Sequence, residues 1–122
     1  MEEWRPVVGF EGLYDVSSHG RIRTVAHQVN YKNIKKRTIP SRLRSTKALL
    51  KGYPAVNLSN GKITKMRTVH VMVLEAFVGP RPSQAHDGFH EDGNPLNARL
   101  DNLQWKEKKY VKRASIARAL RG

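Results

Sequence analysis

The sequence predicts an α+β fold, and three observations carry that reading. Short β-prone runs near the N-terminus are separated by turn residues. An Asn-Gly pair stands between two further β-prone runs. One stretch, residues 70–78, spaces its apolar groups as a helix does. The chain has 122 residues, 39% of them apolar, enough for a modest core and for one domain or two very small ones.

The elements follow in order. Trp4 to Thr24 reads as a small β unit: Gly9-Phe10-Glu11-Gly12 is turn-like, Leu13-Tyr14-Asp15-Val16 is short and β-prone, Ser17-Ser18-His19-Gly20 is a turn, and Arg21-Ile22-Arg23 alternates outward charge with an inward Ile. Residues 25–48 are basic and poor in large apolar groups, which suggests an extended arm or linker that tracks along a groove. Tyr53–Leu58 and Lys62–Val69 flank Asn60-Gly61, the signature of a type I′ hairpin, with Val56 and Leu58 expected to face Ile63. His70 to Val78 should be a helix that sends Val73, Leu74 and Phe77 into the core, stopped by Gly79-Pro80. Residues 83–95 read as a polar loop or tight hairpin, Leu103 and Trp105 as buried, and Glu107 to Leu120 as a basic helix. The organisation expected is a β module over 1–24, a basic linker or arm over 25–48, and an α+β unit with a basic C-terminal helix over 49–122.

The formal charge of +13 is unevenly spread. Residues 21–74 hold thirteen Lys or Arg and no Asp or Glu, and residues 106–122 are again strongly basic. Between them lies an acidic island with Glu75, Asp87, Glu91, Asp92 and Asp101. Basic blocks gain free energy from counterion release on a polyphosphate, so nucleic acid is the expected partner. The basic segments lack the apolar face of a membrane-surface helix, and there is no run of 18 apolar residues, so no membrane partner is expected. The acidic N-terminus lacks the apolar stretch of a secretory signal, and the absence of cysteine suits a reducing compartment.

Three segments together resemble one family. Trp4–Thr24, "WRPVVGFEGLYDVSSHGRIRT", looks like the short N-terminal module often carried by phage-type HNH homing endonucleases. Gly52–Phe77, "GYPAVNLSNGKITKMRTVHVMVLEAF", looks like the hairpin and helix that enter their nuclease domain, and His90–Trp105, "HEDGNPLNARLDNLQW", looks like the HNH motif itself. The resemblance implies a ββα-metal (His-Me finger) nuclease-like domain after the N-terminal β unit, double-stranded DNA as partner, and metal-dependent hydrolysis of a phosphodiester, often as a single-strand nick. It implies a divalent metal, Mg²⁺ or Mn²⁺, in an active enzyme, and a cytoplasmic setting in the bacterial host of a phage.

Carried onto this sequence, the resemblance places the general base at His90 and a loop-structuring Asn at Asn102. The family's metal-ligand positions fall on Phe89 and near Val111, whose side chains have no oxygen to offer. Asp87, Glu91 and Asp92 are the remaining candidate ligands. The DNA-binding candidates are Arg21, Arg23, Lys35, Lys36, Arg37, Arg42, Arg44, Lys109, Lys112 and Arg113. His70 and His86 read as structural or loop residues, and Asn97 as a turn residue. Three functions are compatible with these residues: a metal-dependent DNA-nicking enzyme, an HNH protein that binds DNA as a regulator or architectural factor without cutting, and an RNA- or ribosome-associated basic protein.

Overall fold

In the computed structural model, residues 1–31 and 35–107 are described, with backbone alone over 27–31 and 35–39. The N-terminal part is a four-stranded antiparallel sheet of β1 (Trp4–Pro6), β2 (Tyr14–Ser17), β3 (Ile22–Thr24) and β6 (Arg42–Arg44), in that order. The alternation expected over Arg21–Arg23 is present: Ile22 is fully buried and its neighbours are not.

Residues 25–48, expected as a basic arm or linker, contain paired strands. β4 (His27–Tyr31) pairs antiparallel with β5 (Lys35–Ile39), and β6 pairs with β3. One register runs through both pairs: Ile22 faces Arg44, Thr24 faces Arg42, His27 faces Ile39 and Tyr31 faces Lys35. The segment is thus a single two-stranded ribbon, broken at Pro40, whose base is stitched into the N-terminal sheet. Basic composition hid it, because strand pairing is satisfied by the partner's backbone and not by local apolar content.

β7 (Leu49–Leu50), β8 (Tyr53–Ser59) and β9 (Thr64–Thr68) form a three-stranded antiparallel sheet. The Asn60-Gly61 hairpin exists, but its turn is not type I′. Ser59 pairs with Thr64, so the loop has four residues, and Gly61 alone within it has a positive φ. Asn60 Oδ1 instead accepts the backbone N–H of Lys62 (2.9 Å) and Ile63 (3.0 Å), a side-chain substitute for a tight turn. Ile63 consequently points to solvent rather than to Val56 and Leu58, both of which are buried.

The helix expected at 70–78 is α1 (Val69–Phe77). Val69, Met72, Val73 and Leu74 are buried, and the chain leaves the helix with Val78 and Gly79 N–H both donating to the Leu74 carbonyl. β10 (His86–His90) then pairs antiparallel with β11 (Leu103–Glu107), across a loop closed by a short 3₁₀ turn at Leu100–Asn102. The basic helix expected beyond Glu107 lies outside the described residues.

A single core joins the two halves. Val7, Phe10, Tyr14, Val16 and Ile22 from the N-terminal sheet pack with Val56, Leu58, Leu103 and the buried face of α1. Polar bonds cross the same boundary: Ser59 N–H donates to Tyr14 Oη (3.2 Å), Leu100 N–H to the Ser18 carbonyl (2.8 Å), and Arg5 to the Ala76 carbonyl (3.2 Å), with its guanidinium 4.7 Å from the Phe77 ring centroid. Gly20 makes the tightest crossing. Its φ is +84°, and a Cβ there would lie 2.8 Å from the Ala98 carbonyl oxygen. Gly20→Ala is therefore expected to destabilise the fold by about 1–3 kcal/mol, through strain and clash together. Urea unfolding followed by Trp fluorescence checks this; an unchanged midpoint would show that the two halves do not depend on this contact.

Candidate active site

His90 ends β10 and is buried, as is His70 at the start of α1. Their ring centroids are 4.8 Å apart, and Tyr53 at the start of β8 stacks on His90 at 5.6 Å and lies tilted against His70 at 4.6 Å. The approach is possible because the residue between them on β10 is Gly88, where a Cβ would lie 2.5 Å from His70 Cδ2. Neither His90 Nε2 nor His70 Nδ1 has a hydrogen-bond partner among the described residues. Burial pushes the His90 imidazole below its ordinary value, against a smaller opposing pull from Asp92. Burial, with the neighbouring His90, pushes His70 down to about 4. Both shifts favour the neutral imidazole.

The loop after His90 is organised by Asn102. Its Oδ1 accepts the Asp92 N–H (3.1 Å), its Nδ2 donates to Asp92 Oδ1 (3.0 Å) and to the Asn97 carbonyl (3.0 Å), and its own carbonyl accepts the Glu91 N–H (2.8 Å). Asp92 is fully engaged in the same loop. It accepts from Asn97 Nδ2 (2.9 Å) and the Asn94 N–H (2.8 Å) as well, and these bonds, Asn97 first, hold its carboxyl below the usual range.

The strand alternation of β10 separates the other candidates from His90. Phe89 is turned outward, with Lys106 Nζ 4.0 Å from its ring centroid. Asp87 lies opposite Lys106 in the β10–β11 register and lines the cleft that holds His70, whose proton affinity its charge raises. Glu91 accepts a bond from Gln104, and His86 Nδ1 pairs with Ser83 Oγ at 2.9 Å.

A hard divalent cation needs several oxygen ligands converging on one point. Asp87, Glu91 and Asp92 do not converge: Asp87 lines the cleft of His70, Glu91 is bonded to Gln104 and Asp92 is committed to the loop. Among the described residues no three His, Asp or Glu side chains come together as a metal site. Residues 106–122 contain no Asn or His. The donor set present does not fit Mg²⁺ or Mn²⁺ beside His90.

Two clefts flank Tyr53. One, of about 430 Å³, is lined by Lys51, Tyr53, Gly88, Phe89, His90 and Pro95. The other, of about 490 Å³, includes Lys51, Tyr53, Thr68, His70, Arg81 and Asp87.

The DNA-binding candidates are placed unevenly. Arg21 is ion-paired to Glu2, whose carboxyl it holds at about 2, and Arg23 to Asp15 at 3.0 Å; both guanidinium groups also lie over Trp4. Arg44 donates to the Asn57 carbonyl (3.2 Å), while Arg42 is exposed. Lys35, Lys36 and Arg37 lie on β5 of the ribbon, and Lys109, Lys112 and Arg113 lie outside the described residues.

Two family models match in succession, with seven residues between them: a NUMOD4 motif over residues 2–59 and an HNH endonuclease model over residues 67–113. Its second half is thus similar to the HNH endonuclease family, and its first half to the NUMOD4 motif. It is similar to an uncharacterized HNH endonuclease of Acanthamoeba polyphaga mimivirus, 29% identical over 121 residues, which is 99% of this chain and 32% of that relative. Its fold is that of the HNH homing endonuclease I-HmuI, solved in a study of DNA binding and cleavage, with a TM-score of 0.62, 24% identity, and coverage of 96% of this chain and 59% of that one. The chain thus spans about a third of the curated relative and about three fifths of the solved one. Among the described residues no helix is long and apolar enough to cross a membrane.

His70, read from sequence as a structural residue, and Tyr53 are members of this ring cluster that sequence reasoning missed. For His70 the only signal was a titratable group at a helix start otherwise lined by core residues. Its depressed pKa gives a checkable pH dependence. Folded His70 binds its proton less tightly than the unfolded chain does, so its contribution is complete above pH 6.5 and is lost as the pH falls from 6.5 towards 4. The expected loss is about 3 kcal/mol, with His90 adding in the same direction. Urea unfolding between pH 4 and 7.5 measures it, and His70→Gln should remove most of the slope.

Proposed function

We propose that this chain binds double-stranded DNA through its basic ribbon and N-terminal module and sets His90 against a phosphodiester as the general base of a weak, HNH-type nicking reaction. The observation that carries the reading is the buried His90 imidazole, packed against Tyr53 and His70 at the edge of a cleft, where burial favours its neutral form. A general base must be unprotonated and oriented before it meets water, and burial with ring stacking supplies both. The solved HNH homing endonuclease that shares this fold binds and cleaves DNA, which supports the same assignment here.

The ribbon is the part suited to the duplex. A two-stranded antiparallel ribbon has the dimensions of the major groove, and residues 21–74, which contain it, carry no acidic group. Asn102 would keep the loop beyond His90 in place. HNH endonucleases are generally metal-dependent, and Mg²⁺ or Mn²⁺ would supply charge stabilisation at the phosphate. The described residues do not fit such an ion, so no step is routed through one. The same observation, with Phe89 at the motif position before His90, favours a second reading: the fold binds DNA and no longer cuts.

Two measurements test these readings. If binding neutralises about 6–10 phosphates, affinity for a duplex should fall by roughly 10³–10⁵ between 50 and 200 mM salt; a flat response would remove the electrostatic basis of the proposal. Nicking of supercoiled plasmid, run with Mg²⁺, with Mn²⁺ and with EDTA, should be slow in the wild type and absent in His90→Ala. Robust nicking by His90→Ala would mean a different base. Intact binding with no nicking by any variant would establish the second reading.

A further inference from the structure

We infer that Lys51 is a phosphate-binding residue of the His90 cleft, held there by a strained turn. The inference rests on the DNA-binding reading above and names the group that receives the backbone phosphate at this site.

The first observation is conformational. Lys51 has a φ of +54°, and among the described residues it alone is a non-glycine residue with a positive φ. Gly52 follows at +87°, and Leu50 pairs with Tyr53 across them. Two successive positive φ values in a two-residue loop define a type I′ turn, whose first position is best filled by Asn, Asp or Gly. A lysine there gains nothing locally, because it has neither the missing Cβ of Gly nor the short polar side chain of Asn. An unfavourable residue in a tight turn is a pointer to function at that position.

The second observation is placement. The turn sits at the junction of the two clefts that flank Tyr53, and Lys51 lines both, beside His90 in one and beside His70, Arg81 and Asp87 in the other. Lys51 is exposed and has no carboxylate partner among the described residues, unlike Arg21, Arg23 and Arg67, which are ion-paired. The third is chemical. The cleft lacks the oxygen ligands that would hold a cation, so positive charge at the phosphate has to come from side chains. An ammonium on a flexible four-carbon stem, anchored by a rigid turn, meets that need as a point charge.

The turn residue that best suits the fold and the one that best suits the ligand are therefore different, and this separates the inference from a merely structural role. In the full chain, Lys51→Asn should raise Tm by roughly 2–4 °C by relieving the turn. The same change should lower the salt-dependence exponent for a double-stranded oligonucleotide by about 0.9, and weaken binding roughly eightfold at 0.1 M salt, alike for all sequences. Lys51→Arg should keep both the wild-type exponent and the wild-type affinity. Lys62→Asn, at the exposed tip of the β8–β9 hairpin, is the charge control and should change the exponent less. Higher Tm with unchanged binding in Lys51→Asn would overturn the inference and leave the DNA-binding reading intact. An equal loss in Lys62→Asn would reduce the effect to general charge and overturn it too. Failure of the wild type to bind DNA in a salt-dependent manner would overturn both readings.

Discussion

Helix α1 approaches strand β10 so closely at Gly88 that no side chain fits between them. The site depends on that contact. It lets the His70 ring, carried on the first turn of the helix, reach across the strand to His90, and it leaves Tyr53 to close the stack from the β7–β8 turn. The helix is also fixed by the core, where Met72, Val73 and Leu74 join residues of the N-terminal sheet and of β8 in one buried cluster. A short chain with a modest core has little stability to spare. Here one nine-residue helix serves both the interior of the fold and the floor of the site.

The electrostatics divide along the same lines. Near His90 the acidic groups are used structurally: Asp92 organises the loop with Asn102 and Asn97, and Glu91 is bonded to Gln104. In the N-terminal sheet Glu2 and Asp15 take up Arg21 and Arg23. Of the acidic island that sequence alone suggests as a cation site, Asp92 and Glu91 are thus taken up by local hydrogen bonds, the usual habit of carboxylate and amide side chains in turns. Lys51 and Arg81 bring positive charge, the sign a phosphodiester requires, to the cleft that also holds Asp87.

Much of the fold was legible from residues 4–24 and 52–78. Alternation and helical spacing are direct consequences of which side of a strand or helix faces an apolar interior, and Ile22, Val56, Leu58, Val73 and Leu74 are buried as that logic demands. The ribbon over 22–44 was not legible. Its strands are polar, and a strand pair held by backbone bonds leaves little trace in hydropathy. The type I′ turn was sought at Asn60-Gly61 and stands at Lys51-Gly52, because Asn60 spends its side chain on the backbone of its own loop.

For the site, the sequence by itself determined the chemistry available: one histidine in an HNH-like segment, an Asn twelve residues on, and a phenyl group and a valine where oxygen ligands were expected. Those are facts of composition that no folding can change. The tertiary structure decided which groups meet. That His70 joins His90, that Asp87, Glu91 and Asp92 do not gather at one point, and that Lys51 stands at the junction of two clefts are all consequences of strand register and helix packing. Such contacts join residues tens of positions apart. Their geometry is set by the whole core rather than by any local stretch, so only the folded chain contains them.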